Sequence, residues 1–231
     1  MKTTTAIDSV GSLSDGNSVM YSSPSIDVGG ASASFMLGYT PEASDTATGE
    51  GAVAGNSGTY GSGAAAGVNV SFAGLSAGAM AEEVENDQGV ATEMQNAMSA
   101  TWYANYSFGP VSVGYQTGGL DMGRTDAAEA ATAAKTIAAA GGNFEFEKMS
   151  IAFNVNENLS ISWGELEETY DAQDNASTAV ADVDQDIDAI QIAYSMGGMS
   201  VKAYQMEVTN PAFDEDAPDA KVTEIALGLA F

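Results

Sequence analysis

The sequence predicts an all-β chain of antiparallel strands arranged as a membrane-spanning β-barrel. Three observations carry this: apolar and polar residues alternate from end to end, the strands run to about ten residues, and short and long connections alternate strictly. In "MSATWYANYSF" one face is Met98, Ala100, Trp102, Ala104, Tyr106 and Phe108, and the other is Ser99, Thr101, Tyr103, Asn105 and Ser107. After Gly109-Pro110, "VSVGYQ" puts Val111, Val113 and Tyr115 on one face and Ser112, Gly114 and Gln116 on the other. A two-residue break between two such runs reads as a hairpin.

The same unit recurs along the chain. "NSVMYSSPSI" turns at Gly29-Gly30 into "ASASFMLGYT", and "AAGVNVSF" turns around Gly74 to Ala77 into "AGAMAEEVE". "MSIAFNV" turns at Asn156 to Asn158 into "LSISWGEL", and "IDAIQIAYSM" turns at Gly197-Gly198 into "MSVKAYQMEV". A last strand over 221–231 ends "EIALGLAF", which makes about eleven strands. Between the hairpins lie long stretches of Asp, Glu, Gly, Ser and Thr, at 42–63, 86–97, 121–142, 171–185 and 210–220. One of them, "TDAAEAATAAKTIAAAGG", reads as a short helix with a Thr125 cap and a Gly141-Gly142 stop. If successive strands are antiparallel neighbours, every tight turn falls at one end of the sheet and every long loop at the other. No domain boundary is read within 1–231.

Alternation alone fits two architectures. In a soluble sandwich the apolar faces meet in a core and the polar faces meet water. In a barrel the apolar faces meet lipid and the polar faces line a lumen. Three features favour the barrel: the strands exceed the usual five or six residues of globular sheets, Phe72, Phe108 and Phe231 sit beside tight connections as an interfacial girdle requires, and the polar faces are mostly small and uncharged.

Composition removes several function classes. Net charge is −26, with 6 basic against 32 acidic residues, so nothing here can neutralise a nucleic-acid backbone. There is no Cys, hence no disulfide or thiolate site, and no His, which removes most triads and the commonest general base. The N-terminal "MKTTTAIDSVGSLSDGNS" lacks the apolar core of a signal peptide, which fits a cytosolic chain or one whose leader is missing.

The chain resembles the trimeric general porins of Gram-negative bacteria, particularly the alphaproteobacterial ones. The resemblance rests on "NSVMYSSPSI" at 17–26 with "GGASASFMLGYT" after it, and on the alternating terminal strand closing on Phe231. A family member has about sixteen strands, so the resemblance implies the C-terminal portion of such a barrel, with residues 1–16 the end of the loop that folds into the pore. It further implies passive diffusion of small hydrophilic solutes and ions, no enzymatic activity, and an assembled homotrimer. Its surroundings would be outer-membrane lipid and lipopolysaccharide, and Phe231 would be the mark read by the outer-membrane assembly machinery. Asp8 and Asp15 would stand on the constriction loop, where plain loop carboxylates are the equal alternative.

Alternation then assigns lumen positions: Asn69, Ser71, Glu82, Tyr103, Asn105, Gln116, Gln191, Lys202 and Glu224. Met36, Met80 and Met206 share that face and read as fillers. In "NFEFEKMSIAF" the phase slips between Phe146 and Met149, which suggests a bulge or a strand leaving the membrane. "DVDQDID" resembles the start of an EF-hand loop, with Asp182, Asp184 and Asp186 at alternate positions, but Ile187 stands where the loop needs Gly. No cofactor is expected beyond loosely held calcium or magnesium at the acidic loops. Acidity also predicts cation preference. The other function class is a secreted acidic surface or adhesin-like module, which explains the charge but not the sorted connections.

Overall fold

Side chains on opposite sides of a pleat can keep one greasy face and one polar face only if the backbone stays extended, and among the described residues this chain stays extended in twelve strands. The computed structural model describes residues 18–41, 60–86, 96–121, 123, 143–171 and 182–229. In chain order the strands are β1 Val19–Ser22, β2 Ile26–Val28, β3 Ala31–Thr40, β4 Tyr60–Phe72, β5 Leu75–Asn86 and β6 Ala97–Phe108. They continue with β7 Val111–Asp121, β8 Asn143–Asn154, β9 Leu159–Asp171, β10 Val183–Met196, β11 Met199–Thr209 and β12 Ala220–Leu229. All form one sheet in simple sequence order, β1-β3-β4 through to β12, with β2 also pairing β3. Every pairing is antiparallel.

The sheet settles the choice left open by alternation. Among the described residues there is no second sheet to cover the apolar face. Phe72, Trp102, Tyr106, Phe108, Ile151 and Trp163 all stay exposed, Trp102 by 48%. A sandwich would bury them.

Connections sort as expected. The tight turns lie at 29–30, 73–74, 109–110, 155–158 and 197–198, and the longer links at the opposite ends of the strands. Gly29 and Gly30 both take positive φ, 59° and 85°, the backbone of a two-residue hairpin turn that matches strand twist.

Three local expectations are corrected. The strand read over 17–26 is two strands, broken at Ser23-Pro24-Ser25, because proline has no N–H for the ladder. Ser23 bridges the break, its N–H donating to the Phe35 carbonyl at 2.9 Å and its Oγ accepting from the Phe35 N–H at 2.9 Å. The second turn is Ala73-Gly74, so Leu75 and Ser76 belong to β5. Finally, β8 carries no bulge, for it pairs without interruption with β7 and with β9. The helix expected within 121–142 lies outside the described residues.

Candidate functional site

Directly opposed residues of an antiparallel sheet share a face, so the register fixes sidedness. One rung runs Asn69, Gly78, Tyr103, Gln116, Lys148. The next runs Ser71, Ser76, Asn105, Gly114, Ser150. Farther along, Gln191 faces Tyr204, which faces Glu224, and Lys202 stands between Ala193 and Ala226. All nine residues assigned by alternation therefore lie on one side of the sheet, here called the polar face.

This face is woven by side chains that reach across glycine. Tyr103 OH donates to Asn69 Oδ1 at 2.8 Å, passing over the strand between them. At Gly78 a Cβ would collide with both the Asn69 amide and the Tyr103 ring, so only glycine leaves that path open. Gly114 does the same between Asn105 and Ser150. Gln116 Nε2 donates to Thr101 Oγ1 at 3.2 Å, and Tyr204 OH donates to Glu224 Oε2 at 3.2 Å. Asn69, Ser71, Asn105, Gln191, Lys202 and Glu224 are exposed, while Tyr103 and Gln116 are half-buried. Glu82 differs: it is 7% exposed and its Oε2 has no hydrogen-bond partner among the described residues. Met36 and Met80 flank Gly67, and the space left by that glycine is filled by the Met36 side chain.

The opposite face carries an apolar belt. On β6 it runs from Phe108 to Met98, about eleven residues, which at a barrel tilt rises roughly 25 Å, the height of a lipid-facing band. On β8 it is only Phe153, Ile151 and Met149, and on β9 Leu159, Ile161 and Trp163. Beyond those points the belt face becomes acidic: Glu145 and Glu147, Glu165 and Glu167, Asp184, Asp186 and Asp188, then Glu207. Lys221 pairs with Glu207 at the end of this row.

The polar face inverts over the same stretch. Phe144, Phe146, Leu166, Tyr170, Ile187 and Val208 all sit on the side of Lys148 and Gln191, and each is at most 9% exposed. Phe146, Leu166, Ile187 and Val208 pack as one cluster, with Met206 against it. The Phe146 ring lies over Gly118, where a Cβ would meet it at 2.9 Å. Beside the cluster Gln185 Nε2 donates to Glu168 Oε2 at 2.8 Å, both residues fully buried. Alternation missed this cluster because it gives a face one character along a whole strand. The phase slip at Phe146 is its trace in the sequence.

The acidic run read against an EF-hand is strand, not loop, from Val183 onward. Thr169 Oγ1 donates to Asp184 Oδ1 at 2.8 Å, and Asp186 follows on the same belt face, with exposed Asp182 just before the strand. Among the described residues no three acidic groups are grouped to hold a metal. Asp8, Asp15 and Phe231 lie outside the described residues.

A single antiparallel sheet in sequence order, greasy on one face, polar on the other and turned tightly at one end, is the wall of a porin-like β-barrel. The chain is similar to the solved structure of a porin refined at 1.8 Å resolution, with a TM-score of 0.56 and 15% identity over 92% of this chain. The match covers 60% of that porin, so the chain spans under two thirds of its length, and the likeness is one of fold. No protein-family model matches the chain. No curated protein matches it either.

Proposed function

We propose that the chain is the C-terminal portion of an outer-membrane porin of a Gram-negative bacterium, a water-filled channel for passive diffusion of small hydrophilic solutes and ions. One observation carries this reading: bulky apolar side chains are left exposed on one face of a single sheet whose other face is hydrogen-bonded Asn, Gln, Ser and Tyr. In lipid the belt face is satisfied and the polar face is left to water.

Among the described residues β1 and β12 each keep one unpaired edge, and an open edge in hydrocarbon is prohibitive. Closure comes from about five further strands, completing a barrel of about sixteen. The assembled protein is a homotrimer in outer-membrane lipid and lipopolysaccharide, delivered by the assembly machinery that reads Phe231. Asp8 and Asp15 belong to the constriction loop, and loosely held calcium or magnesium screens the acidic loops. Asn69, Ser71, Tyr103, Asn105, Gln116, Gln191, Lys202 and Glu224 line the lumen. With 32 acids to 6 bases, the channel prefers cations.

The test is electrical. The protein extracted from its native membrane is reconstituted in a planar bilayer under a salt gradient, where ohmic conductance and a cation-selective reversal potential are expected. Anion selectivity overturns the preference, and absence of conductance from a detergent-extracted, folded protein overturns the channel. The coding sequence upstream of Met1 tests the truncation: a leader and about five alternating strands are expected, and an in-frame stop immediately upstream counts against it.

A further inference from the structure

The link between β11 and β12 belongs to the inside of the sheet rather than to its rim. Residues 210–219, "NPAFDEDAPD", have the composition of a polar loop, yet they fold over the polar face. Phe213 is 3% exposed, its ring 5.3 Å from that of Phe144 and 6.2 Å from that of Tyr170. The backbone is bent to deliver it: Asn210, Ala212 and Phe213 all take positive φ, 47°, 62° and 58°. Residues other than glycine hold that region only when surrounding contacts over-determine it. Those contacts are present, for Asn210 Nδ2 donates to the Asp184 carbonyl at 2.8 Å and the Ala212 N–H donates to Gln185 Oε1 at 2.7 Å.

An apolar patch of Phe144 and Tyr170 on a wall facing water would leave two large rings wet. Covered by Phe213, it is dry. We infer that residues 210–219 form a ledge docked inside the channel mouth, pinned by Phe213 over β8 and β9, and that this ledge narrows the mouth on that side. The inference rests on the channel reading above. It assigns Phe213 as the positioning residue and Gln185 and Asp184 as its anchors. Glu215 and Asp216 of the ledge are exposed, so carboxylates border the narrowed passage.

Two readouts on the native protein and on Phe213→Ala keep the outcomes separate. The first is cleavage in detergent by a protease that cuts after glutamate, read at Glu215. Detaching the ledge exposes one buried phenylalanine, so the variant is expected to be cut roughly 10- to 100-fold faster. The second is single-channel conductance, expected to rise in the variant. Asn210→Gly, which removes the bond to the Asp184 carbonyl at a backbone angle glycine adopts without strain, gives a smaller step in the same direction, and unchanged far-UV circular dichroism verifies that the sheet persists. Equal cleavage of the native protein and both variants overturns the docking. Faster cleavage with unchanged conductance overturns the ledge as a constriction. If neither protein conducts, the channel reading falls and the constriction with it, while the cleavage rates still report the docking.

Discussion

The exchange of character along β8 is open to a direct test by placing charge on either side of it. Ile151 is 45% exposed on the belt face, with Met149 and Phe153 as its neighbours along that face. Glu145 is on the same face of the same strand, beyond the point where the belt ends. A lysine at the middle of a lipid-facing strand costs about 2–4 kcal/mol, falling to about 0–1 near the interface. The belt on β8 spans about five residues, so Ile151 is never far from an interface, and Ile151→Lys is expected to cost about 2 kcal/mol, roughly 30-fold in the folding equilibrium. Glu145→Lys is expected to change stability by about 0.5 kcal/mol or less, as surface substitutions do. On the opposite face the order reverses: Phe146→Ala removes a buried ring and is expected to cost about 3 kcal/mol, while Ser150→Asn, on the exposed polar part, costs little. The assay is urea unfolding and refolding from lipid vesicles. An Ile151→Lys protein no less stable than Glu145→Lys refutes the placement of the belt.

Further outcomes follow from single positions. Gly74→Ala is expected to lose about 2 kcal/mol, because φ there is 87° and a Cβ would press on the Ser107 carbonyl at 2.5 Å; its neighbour Ala73, at φ 47°, gains up to about 1 kcal/mol on replacement by Gly, both read from the unfolding midpoint. Lys202→Glu removes a cation from the polar face, so the reversal potential is expected to move toward stronger cation preference, and a move the other way would place Lys202 away from the ion path. Raising ionic strength from about 0.01 to 1 M shortens the screening length from about 30 to 3 Å, so stability is expected to rise with salt as the acids of β8 to β11 repel each other less; a protein destabilised by salt would show that those acids are not mutually repelling.

Most of the sheet is legible in the sequence because a period of two sustained over about ten residues fits a pleated strand and neither a helix nor a loop. The hairpin at Gly109-Pro110 and the one at Gly197-Gly198 fall where the alternation breaks, and the longer links fall between them. Other features are hidden for definite reasons. Pro24 sits within an otherwise alternating run, and whether it ends a strand or occupies an edge depends on neighbours that local pattern does not contain. Ala73 carries no mark of a turn, since its positive φ is imposed by the closing of two strands. Phe144 and Phe146 have the parity of Lys148 and Ser150, so alternation puts them with the polar residues. Phe144 is buried against Phe213, remote in sequence and the single aromatic of an acidic loop, and Phe146 against Leu166, Ile187 and Val208 from three other strands. On the candidate site, the sidedness of all nine residues follows from parity, but the burial of Glu82 does not, because parity says nothing about what lies over a residue.

The acids of the belt face and the aromatics of the polar face are two halves of one arrangement. Where the strands outrun the belt, Glu145, Glu165, Glu167, Asp186 and Asp188 crowd one side with like charge. Like charges across neighbouring strands oppose pairing. What offsets them is on the other side of the same strands, where Phe146, Leu166, Ile187 and Val208 bury against each other and Phe144 and Tyr170 pack with Phe213. Burying one such side chain stabilises by about 1.5–3 kcal/mol, whereas an exposed charge pair in solvent is worth about 1 kcal/mol or less, so the apolar side prevails. The sheet can thus rise above the belt as an acidic rampart because its interior there is packed like a small core. The same packing draws the loop of residues 210–219 over the polar face, so the height of the wall and the docking of that loop have a single physical cause.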